Sequence, residues 1–261
     1  MPYGAGMTTL AGSRRARRVL GLLLLVNAVV VVLYAGLFAI HTFVVGLPRE
    51  LTHMVNMNRE STLATWFGAA LLTTAAVLSI LSAALTPDAK ARRGWIVLAL
   101  GVTYLAVDEV VLIHERLPML FRLDGEFATH AWLIPAIPVV LIALVVMAHL
   151  LRHLPTYMRP VLLTGLAVFT AGAIVIEGLT GFIGDDMGGP WWDKVFFPAS
   201  VALEESLEFI GVIIVVAGIV AHLDRVGVFT RPTPGVRTPT EPESPIYGNA
   251  PMRASGPTMI D

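Results

Sequence analysis

Residues 95–116 read WIVLALGVTYLAVDEVVLIHER. The apolar part of this stretch is long enough to cross a bilayer as an α-helix, which takes about 20 residues. Towards its end the stretch carries Asp108, Glu109, His114 and Glu115. Ionisable groups inside such a run are costly to keep in lipid, so they normally face a protein interior or a watery cavity and mark a functional site. The stretch therefore predicts a membrane-spanning helix with a functional site near one end.

The composition of the whole chain supports a membrane protein. Of its 261 residues, 56% are hydrophobic and only 14% are charged, whereas a soluble domain carries about 25% charged residues. The chain contains no Cys, which excludes disulfides, thiolate metal sites and a Cys nucleophile. We expect an integral membrane protein whose site uses carboxylates and histidine.

Further apolar runs of bilayer-spanning length lie on both sides of the opening stretch. The first run is too long for the apolar region of a secretory signal, which has about 7–15 residues. The runs also lack the alternation of polar and apolar residues that barrel strands show. We therefore predict an all-α, polytopic membrane protein with six transmembrane helices. The predicted spans are Val19–Leu47, Thr62–Leu85, Trp95–Glu115, Ala131–Leu151, Val161–Ile183 and Ala199–Ala221.

Basic residues in the short loops predict the orientation. Cytoplasmic loops carry an excess of Lys and Arg, and here that excess falls on the N-terminus, the second and fourth loops and the segment after the last span. We predict a plasma-membrane protein with both termini in the cytoplasm. Its parts are a basic cytoplasmic N-terminus (1–18), a six-helix transmembrane domain (19–221) and a disordered, Pro/Thr-rich cytoplasmic tail (222–261).

The expected partners follow from the same features. The lipid bilayer surrounds the spans, and the tail, whose composition cannot bury a core, offers a place for a protein partner. The Arg cluster at 14–18 is interpreted as a topology signal and lipid anchor, so no nucleic-acid partner is expected. The oligomeric state is left open.

A depth calculation brings the acidic residues of three spans together. At about 1.5 Å per residue, Asp108 lies roughly 20 Å above the inner end of the third span, and Glu177 roughly 25 Å above that of the fifth. The last span runs the other way, which places Glu204, Glu205 and Glu208 within about 15 Å of its outer end. All these carboxylates are therefore predicted at one level, in the outer half of the membrane.

Helical rotation groups them further. Glu208 lies about 40° from Glu204 and about 60° from Glu205 around the helix axis, so the three share one arc. In the third span Asp108 and Glu115 share a face, about 10 Å apart along the axis. Glu109 and His114 project to either side of that face. Glu109 and Glu205 lie off the main faces and are the members least expected to take part.

So many carboxylates at one depth cannot all stay ionised without compensation. A cation, protons, or Arg59, Arg116 and Arg122 reaching in from the rim would supply it. Oxygen ligands with an imidazole suit Mg, Ca, Mn, Fe or Zn. The Glu-x-x-His spacing of paired-metal helix bundles is absent. We predict a divalent metal ion held by residues from Asp108, Glu109, His114, Glu115, Glu177, Glu204, Glu205 and Glu208.

Asp-Glu followed by His-Glu on one helix, with Glu-Glu-Ser-Leu-Glu-Phe at 204–209 on the last, resembles a set of uncharacterised bacterial six-helix integral membrane proteins. The resemblance covers the third and last spans, and it implies the same fold. It implies no particular activity.

Three functional readings remain. In the first, the metal site serves an enzyme that acts on a lipid or a small apolar substrate, with a spare Glu as base. In the second, the carboxylates bind a cation or relay protons in a transporter or channel. The inner half of the spans offers only weak polar groups such as Asn27, Ser79 and Tyr104, and transporters tend to bind near the midplane, so a site is favoured over a conduit. The third reading is a non-catalytic assembly factor or sensor.

Overall fold

The computed structural model describes residues 9–113, 116, 133–184 and 189–229, and within these ranges the chain is helical with no strand. This confirms the all-α prediction. Five of the described helices are long and apolar enough to cross a membrane. They are α2 (Arg14–Phe43), α4 (Leu63–Ala84), α5 (Ala89–Val111), α7 (Arg159–Ile183) and α8 (Trp192–Arg225). The other helices are α1 (Thr9–Gly12), α3 (Arg49–Val55) and the apolar α6 (Leu133–Leu151).

Side-chain caps set the starts of three long helices. Ser13, Thr62 and Asp88 each accept a hydrogen bond from the backbone N–H three residues further on, which satisfies one of the free donors at a helix N-terminus. The cap at Ser13 starts the first long helix at Arg14, five residues before the predicted start of the span at Val19. The basic residues of the N-terminus are therefore part of that helix.

Helix α8 lies at the centre of the bundle and packs against α2, α4 and α7. Its residues Phe209, Ile213 and Val216 share one apolar core with side chains of α2 and α4. Nearer its end, Ile219 and Leu223 join a second core. The buried residues of α8 are Trp192, Pro198, Ser200, Val201, Phe209, 211–213 and 215–223.

Glycines bring α7 and α8 into backbone contact. A Cβ atom added at Gly165 would stand 2.7 Å from the carbonyl oxygen of Gly211, and one added at Gly211 would stand 2.6 Å from that of Gly165. Further along the antiparallel pair, a Cβ at Gly218 would meet Val161 at 2.5 Å. Small residues allow this close approach, as they do between many membrane helices.

The first and last long helices are joined at one end of the bundle, here called the terminal end. Ser13 donates a hydrogen bond of 2.8 Å from Oγ to Asp224 Oδ2, and Arg15 forms an ion pair with the same carboxylate. Arg15 also donates to the carbonyl of Phe229 at 3.1 Å and lies over its ring at 5.4 Å. Residues 13 and 224 therefore lie at the same end of the bundle.

The last helix is longer than its predicted span. It continues past Ala221 to Arg225, so the first residues of the segment predicted as a tail are helical. His222 is buried there, with Nδ1 at 2.9 Å from the hydroxyl of Tyr157 and its ring 4.9 Å from that of Trp95. Packing of this turn against its neighbours stabilises helix that composition alone does not suggest. The rest of the predicted tail, 230–261, lies outside the described residues.

Candidate functional site

A cavity of about 370 Å³ lies towards the end of the bundle opposite the terminal end. Its walls come from α4, α5, α6, α7 and α8, and the loop between α3 and α4 contributes Met57–Glu60. The sequence stretch around Asp108 forms one of these walls. The volume of the cavity is in the range of small-molecule pockets, about 300–1,000 Å³.

The cavity collects the acidic residues that the sequence places at one depth. Asp108 and Glu109 come from α5, Glu177 from α7, and three glutamates from α8. The structure therefore brings six of the eight predicted residues to one cavity. The six are Asp108, Glu109, Glu177, Glu204, Glu205 and Glu208. His114 and Glu115 lie outside the described residues.

Glu208 is at the centre of this acidic group. Its carboxylate interacts electrostatically with four other carboxylates, those of Glu205, Glu109, Glu204 and Glu177. Like charges in a poorly solvated space repel strongly, since the effective dielectric constant there is far below that of water. The group therefore favours any ligand or proton that reduces its negative charge.

Glu109 and Glu205 take a larger part than helical rotation suggests. Both line the cavity, and each lies near enough to the other to interact electrostatically. Helical rotation, which placed both residues off the main faces, does not take neighbours on other helices into account. On α4, Gly68 leaves the space that the Glu109 carboxylate occupies: a Cβ at Gly68 would stand 2.8 Å from Glu109 Oε1.

The wall of the cavity that α7 forms contains a π-helical segment. Residues Ala171–Ile176 of α7 form wider turns directly before Glu177, and such segments often occur at functional sites. Gly172 within it allows contact with α8, because a Cβ there would stand 2.6 Å from the carbonyl oxygen of Glu204 and 3.0 Å from Cγ of Glu208. The wider turns of α7 and the close contact at Gly172 thus hold Glu177 of α7 at the level of the glutamates of α8.

The third span ends earlier than predicted. Its helix stops at Val111, and Leu112 adopts the left-handed conformation with φ 58° and ψ 50°. The prediction of one continuous helix through Glu115 is therefore wrong. The rotation that placed Asp108 and Glu115 on one face does not apply across this break. A left-handed leucine is strained, and Leu112 lines the cavity, in keeping with the tendency of strained residues to occur at functional sites.

Several lining residues were not among the predicted set. Tyr104, predicted only as a weak polar group of the inner half of the spans, lines the cavity with Asp108, which lies one helical turn further along the same face. Glu60, Thr65 and Thr170 also line the cavity. Arg59, named as a residue that could reach in from the rim, does line it and is the basic side chain among the described lining residues.

Below the cavity the bundle is filled with apolar side chains. Leu71 and Ala75 of α4 pack against Phe209, Val212 and Ile213 of α8 in the first core. Phe67 and Phe209 meet edge to face, with ring centroids 5.3 Å apart. This packing separates the carboxylates from the terminal end of the bundle.

The donors around the cavity are oxygen atoms of carboxylates, hydroxyls and an amide. Within the part of the chain that the structure describes, no group of three or more His, Asp or Glu is already arranged to hold a metal ion. A bound metal would therefore draw the side chains further together. Oxygen donors of this kind suit hard cations such as Mg²⁺, Ca²⁺ and Mn²⁺. The negative charge of these carboxylates can attract a cation to the cavity.

Residues 20–223 match a family described as a domain of unknown function (DUF8692). No curated protein and no solved structure matches the chain. The matched range includes the whole of the cavity lining and all eight predicted site residues.

Proposed function

The chain belongs to the DUF8692 family, and from its cavity we propose that it is an integral membrane protein that binds a divalent cation at an acidic, outward-facing site. One observation carries the proposal. Seven carboxylates, the six named above and Glu60, line a single cavity that receives one basic side chain, Arg59, among the described residues. Carboxylates gathered around one cavity repel one another, and a bound cation or bound protons would reduce that repulsion.

In the proposed topology the protein lies in the plasma membrane and crosses it with six transmembrane helices. Both termini are then in the cytoplasm. Helix α6 supplies the fourth span. An even number of spans agrees with the hydrogen bond between Ser13 and Asp224, which joins the first and last long helices at one end of the bundle. The basic loops favour the cytoplasm for that end. The cavity then faces outwards.

The proposed ligands are drawn from eight residues. Asp108, Glu109, Glu177, Glu204, Glu205 and Glu208 would provide carboxylate oxygens, and Glu115 and His114 are candidate ligands from the sequence. The oxygen-rich lining supports Mg²⁺, Ca²⁺ or Mn²⁺ before Zn²⁺ or Fe²⁺. His114 would be the nitrogen ligand that shifts this preference towards Mn²⁺, Fe²⁺ or Zn²⁺.

A bound cation would equip the site for hydrolysis or group transfer on a lipid or a small apolar substrate, by polarising an oxygen or lowering the pKa of water. The protein's own contribution would be to hold the substrate beside a spare carboxylate that takes up a proton. The apolar packing below Glu208 supports such a one-sided site over a conduit, because a transported ion would have to pass Phe209, Val212 and Ile213.

The test is the metal content of the purified protein. Wild type, Glu208→Gln and Glu50→Gln are compared by elemental analysis after equilibration with Mg²⁺, Ca²⁺ and Mn²⁺ in turn. Glu50 is exposed on α3 and does not line the cavity, so Glu50→Gln controls for the loss of one negative charge. We expect stoichiometric cation in wild type and Glu50→Gln, and a loss of at least half in Glu208→Gln. Equal metal content in all three would reject the proposed site.

A further inference from the structure

Basic side chains of two helices and a loop lie together away from the cavity. His153, in the loop after α6, interacts electrostatically with Lys90 at the start of α5 and with Arg152 and His149. The rings of His149 and His153 lie 6.0 Å apart. Arg159, at the start of α7, donates a hydrogen bond to the backbone carbonyl of Arg152. These five residues are here called the basic cluster.

The hydrogen bonds of the cluster leave its positive charges in place. Arg152 donates from Nη2 to His149 Nε2 at 2.8 Å. A guanidinium group cannot accept a hydrogen bond, so this imidazole nitrogen is the acceptor and the ring is neutral. Lys90, Arg152 and Arg159 form no ion pair with any residue that the structure describes. Asp88 is the acidic group that acts on His153. Three positive charges therefore stand beside one carboxylate.

Arg159 also orders the loop that carries the cluster. Besides its bond to the carbonyl of Arg152, it donates from Nε to the carbonyl of Leu154 at 3.3 Å. The side chains of Leu154 and Met158 anchor the same loop in the second core, where both are buried. A loop fixed in this way holds Arg152 and His153 in place before a ligand arrives, which lowers the entropic cost of binding.

The cluster lies at the level where spanning helices end. Lys90 is in the first turn of α5, and His149 is in the last turn of α6, the proposed fourth span. The two helices pack against each other. Leu151 shares the second core with Leu223, next to Asp224, so the cluster belongs to the terminal end of the bundle. The ends of spanning helices meet the headgroups of the lipids.

Charge and level together select an anionic phospholipid. Phosphate oxygens match the planar donors of an arginine and the ammonium group of a lysine, and basic residues beside the ends of spanning helices attract anionic headgroups. A lipid at this level also places its acyl chains beside α5 and α6, whose exposed side chains include Ile96, Leu100 and Val145. A soluble anion gains nothing from these apolar side chains.

We propose that the basic cluster binds the phosphate group of an anionic phospholipid in the leaflet around the terminal end, with Lys90 and Arg152 donating to its oxygens. In the proposed topology this is the cytoplasmic leaflet. The lipid bridges α5 and the loop between α6 and α7. This site lies at the end of the bundle opposite the cavity, and it does not depend on the proposed cation site.

The test counts the lipids bound to the full-length protein. Protein purified in detergent is mixed with phosphatidylglycerol or with phosphatidylcholine of the same acyl chains, and mass spectrometry of intact complexes measures the affinity for each. Wild type should prefer phosphatidylglycerol. Each basic residue near an anionic headgroup contributes about a fivefold change in affinity, so a Lys90→Gln/Arg152→Gln variant should bind phosphatidylglycerol roughly 25-fold more weakly. Equal affinity of wild type and this variant would overturn the proposal.

A matched variant controls for the loss of charge. Arg92→Gln/Arg93→Gln removes two exposed basic residues from the first turns of α5 that do not act on His153, and it should keep the preference for phosphatidylglycerol. Equal losses in the two double variants would show general attraction to a charged surface and overturn the site. Lys90 makes no hydrogen bond with a described residue, so Lys90→Gln alone should unfold at the temperature of wild type and still lose about fivefold in affinity.

Two competitors test other occupants of the cluster. Inorganic phosphate and a hexaglutamate peptide are each added to the complex with phosphatidylglycerol, at the concentration of the lipid. Neither should displace the lipid, because its acyl chains add apolar contacts that both competitors lack. Displacement by phosphate would identify a site for a soluble anion. Displacement by the peptide would identify a site for an acidic protein segment, and either result would overturn the lipid.

Discussion

The backbone of Gly172 in α7 lies directly against that of Glu204 in α8: a Cβ at position 172 would stand 2.6 Å from the Glu204 carbonyl oxygen. No side chain fits between them. The contact fixes the separation of the two helices at the level of the cavity, and with it the distance between Glu177 and the glutamates of α8.

The first prediction concerns this contact. Gly172→Ala would push α7 away from α8, and we expect it to destabilise the protein by about 1–3 kcal/mol, as overpacking usually does. It should also weaken cation binding. Gly36→Ala is the control, because a Cβ there meets nothing within 4 Å, and the better helix propensity of Ala should leave stability equal or higher. Thermal unfolding and cation titration measure both. Two variants of equal stability would show that α7 is free to move.

The second prediction concerns charge repulsion. Removing divalent cations with a chelator should lower the unfolding temperature, and more so at high pH, because more of the clustered carboxylates are then ionised. In the chelated protein, Glu205→Gln should recover part of this loss at high pH, since it removes one charge from the group. Glu50→Gln should not. A chelator effect that is independent of pH would contradict the coupled cluster.

The third prediction concerns topology. The chain has no Cys, so single cysteines report accessibility without background. Asn58→Cys at the cavity rim should react with an impermeant thiol reagent added outside intact cells. Lys90→Cys, at the start of α5, should react only after the cells are opened. The reverse pattern would place the cavity on the cytoplasmic side and overturn the depth argument.

The fourth prediction concerns the end of α5. Leu112→Gly should be more stable than Leu112→Ala by about 1 kcal/mol, because glycine adopts the left-handed conformation without strain. Both variants lose the leucine side chain, so their difference isolates the backbone. Inside an ordinary helix the order is reversed. Thermal unfolding of the two variants measures this difference. If Leu112→Ala were more stable than Leu112→Gly, the helix would continue through position 112.

Much of the site was predictable because it rests on depth, and depth follows from counting residues along apolar runs. Asp108, Glu177 and Glu208 could be placed at one level in this way. The prediction was less successful where the helix departs from ideal geometry. The early end of α5 at Leu112 and the π-helical turns before Glu177 arise from packing against other helices, which a rotation of 100° per residue does not contain.

Contacts between residues of different helices could not be predicted either. Glu109 lies off the main face of its own helix, yet Gly68 on α4 leaves it room at the cavity. Tyr104 shares a face with Asp108, but an uncharged hydroxyl predicts only a weak polar group. Such pairs depend on which helices become neighbours, and no single helix carries that information.

The contact of Ser13 and Arg15 with Asp224 joins the first and last long helices, and this has a consequence for the order of folding. Among the described long helices, α2 leaves the ribosome before the others, and its main packing partner, α8, leaves after them. At about 5–20 residues per second, the first helix waits on the order of ten seconds or more with Asn27 and Tyr34 uncovered. Insertion of α2 and completion of the bundle are therefore separate events.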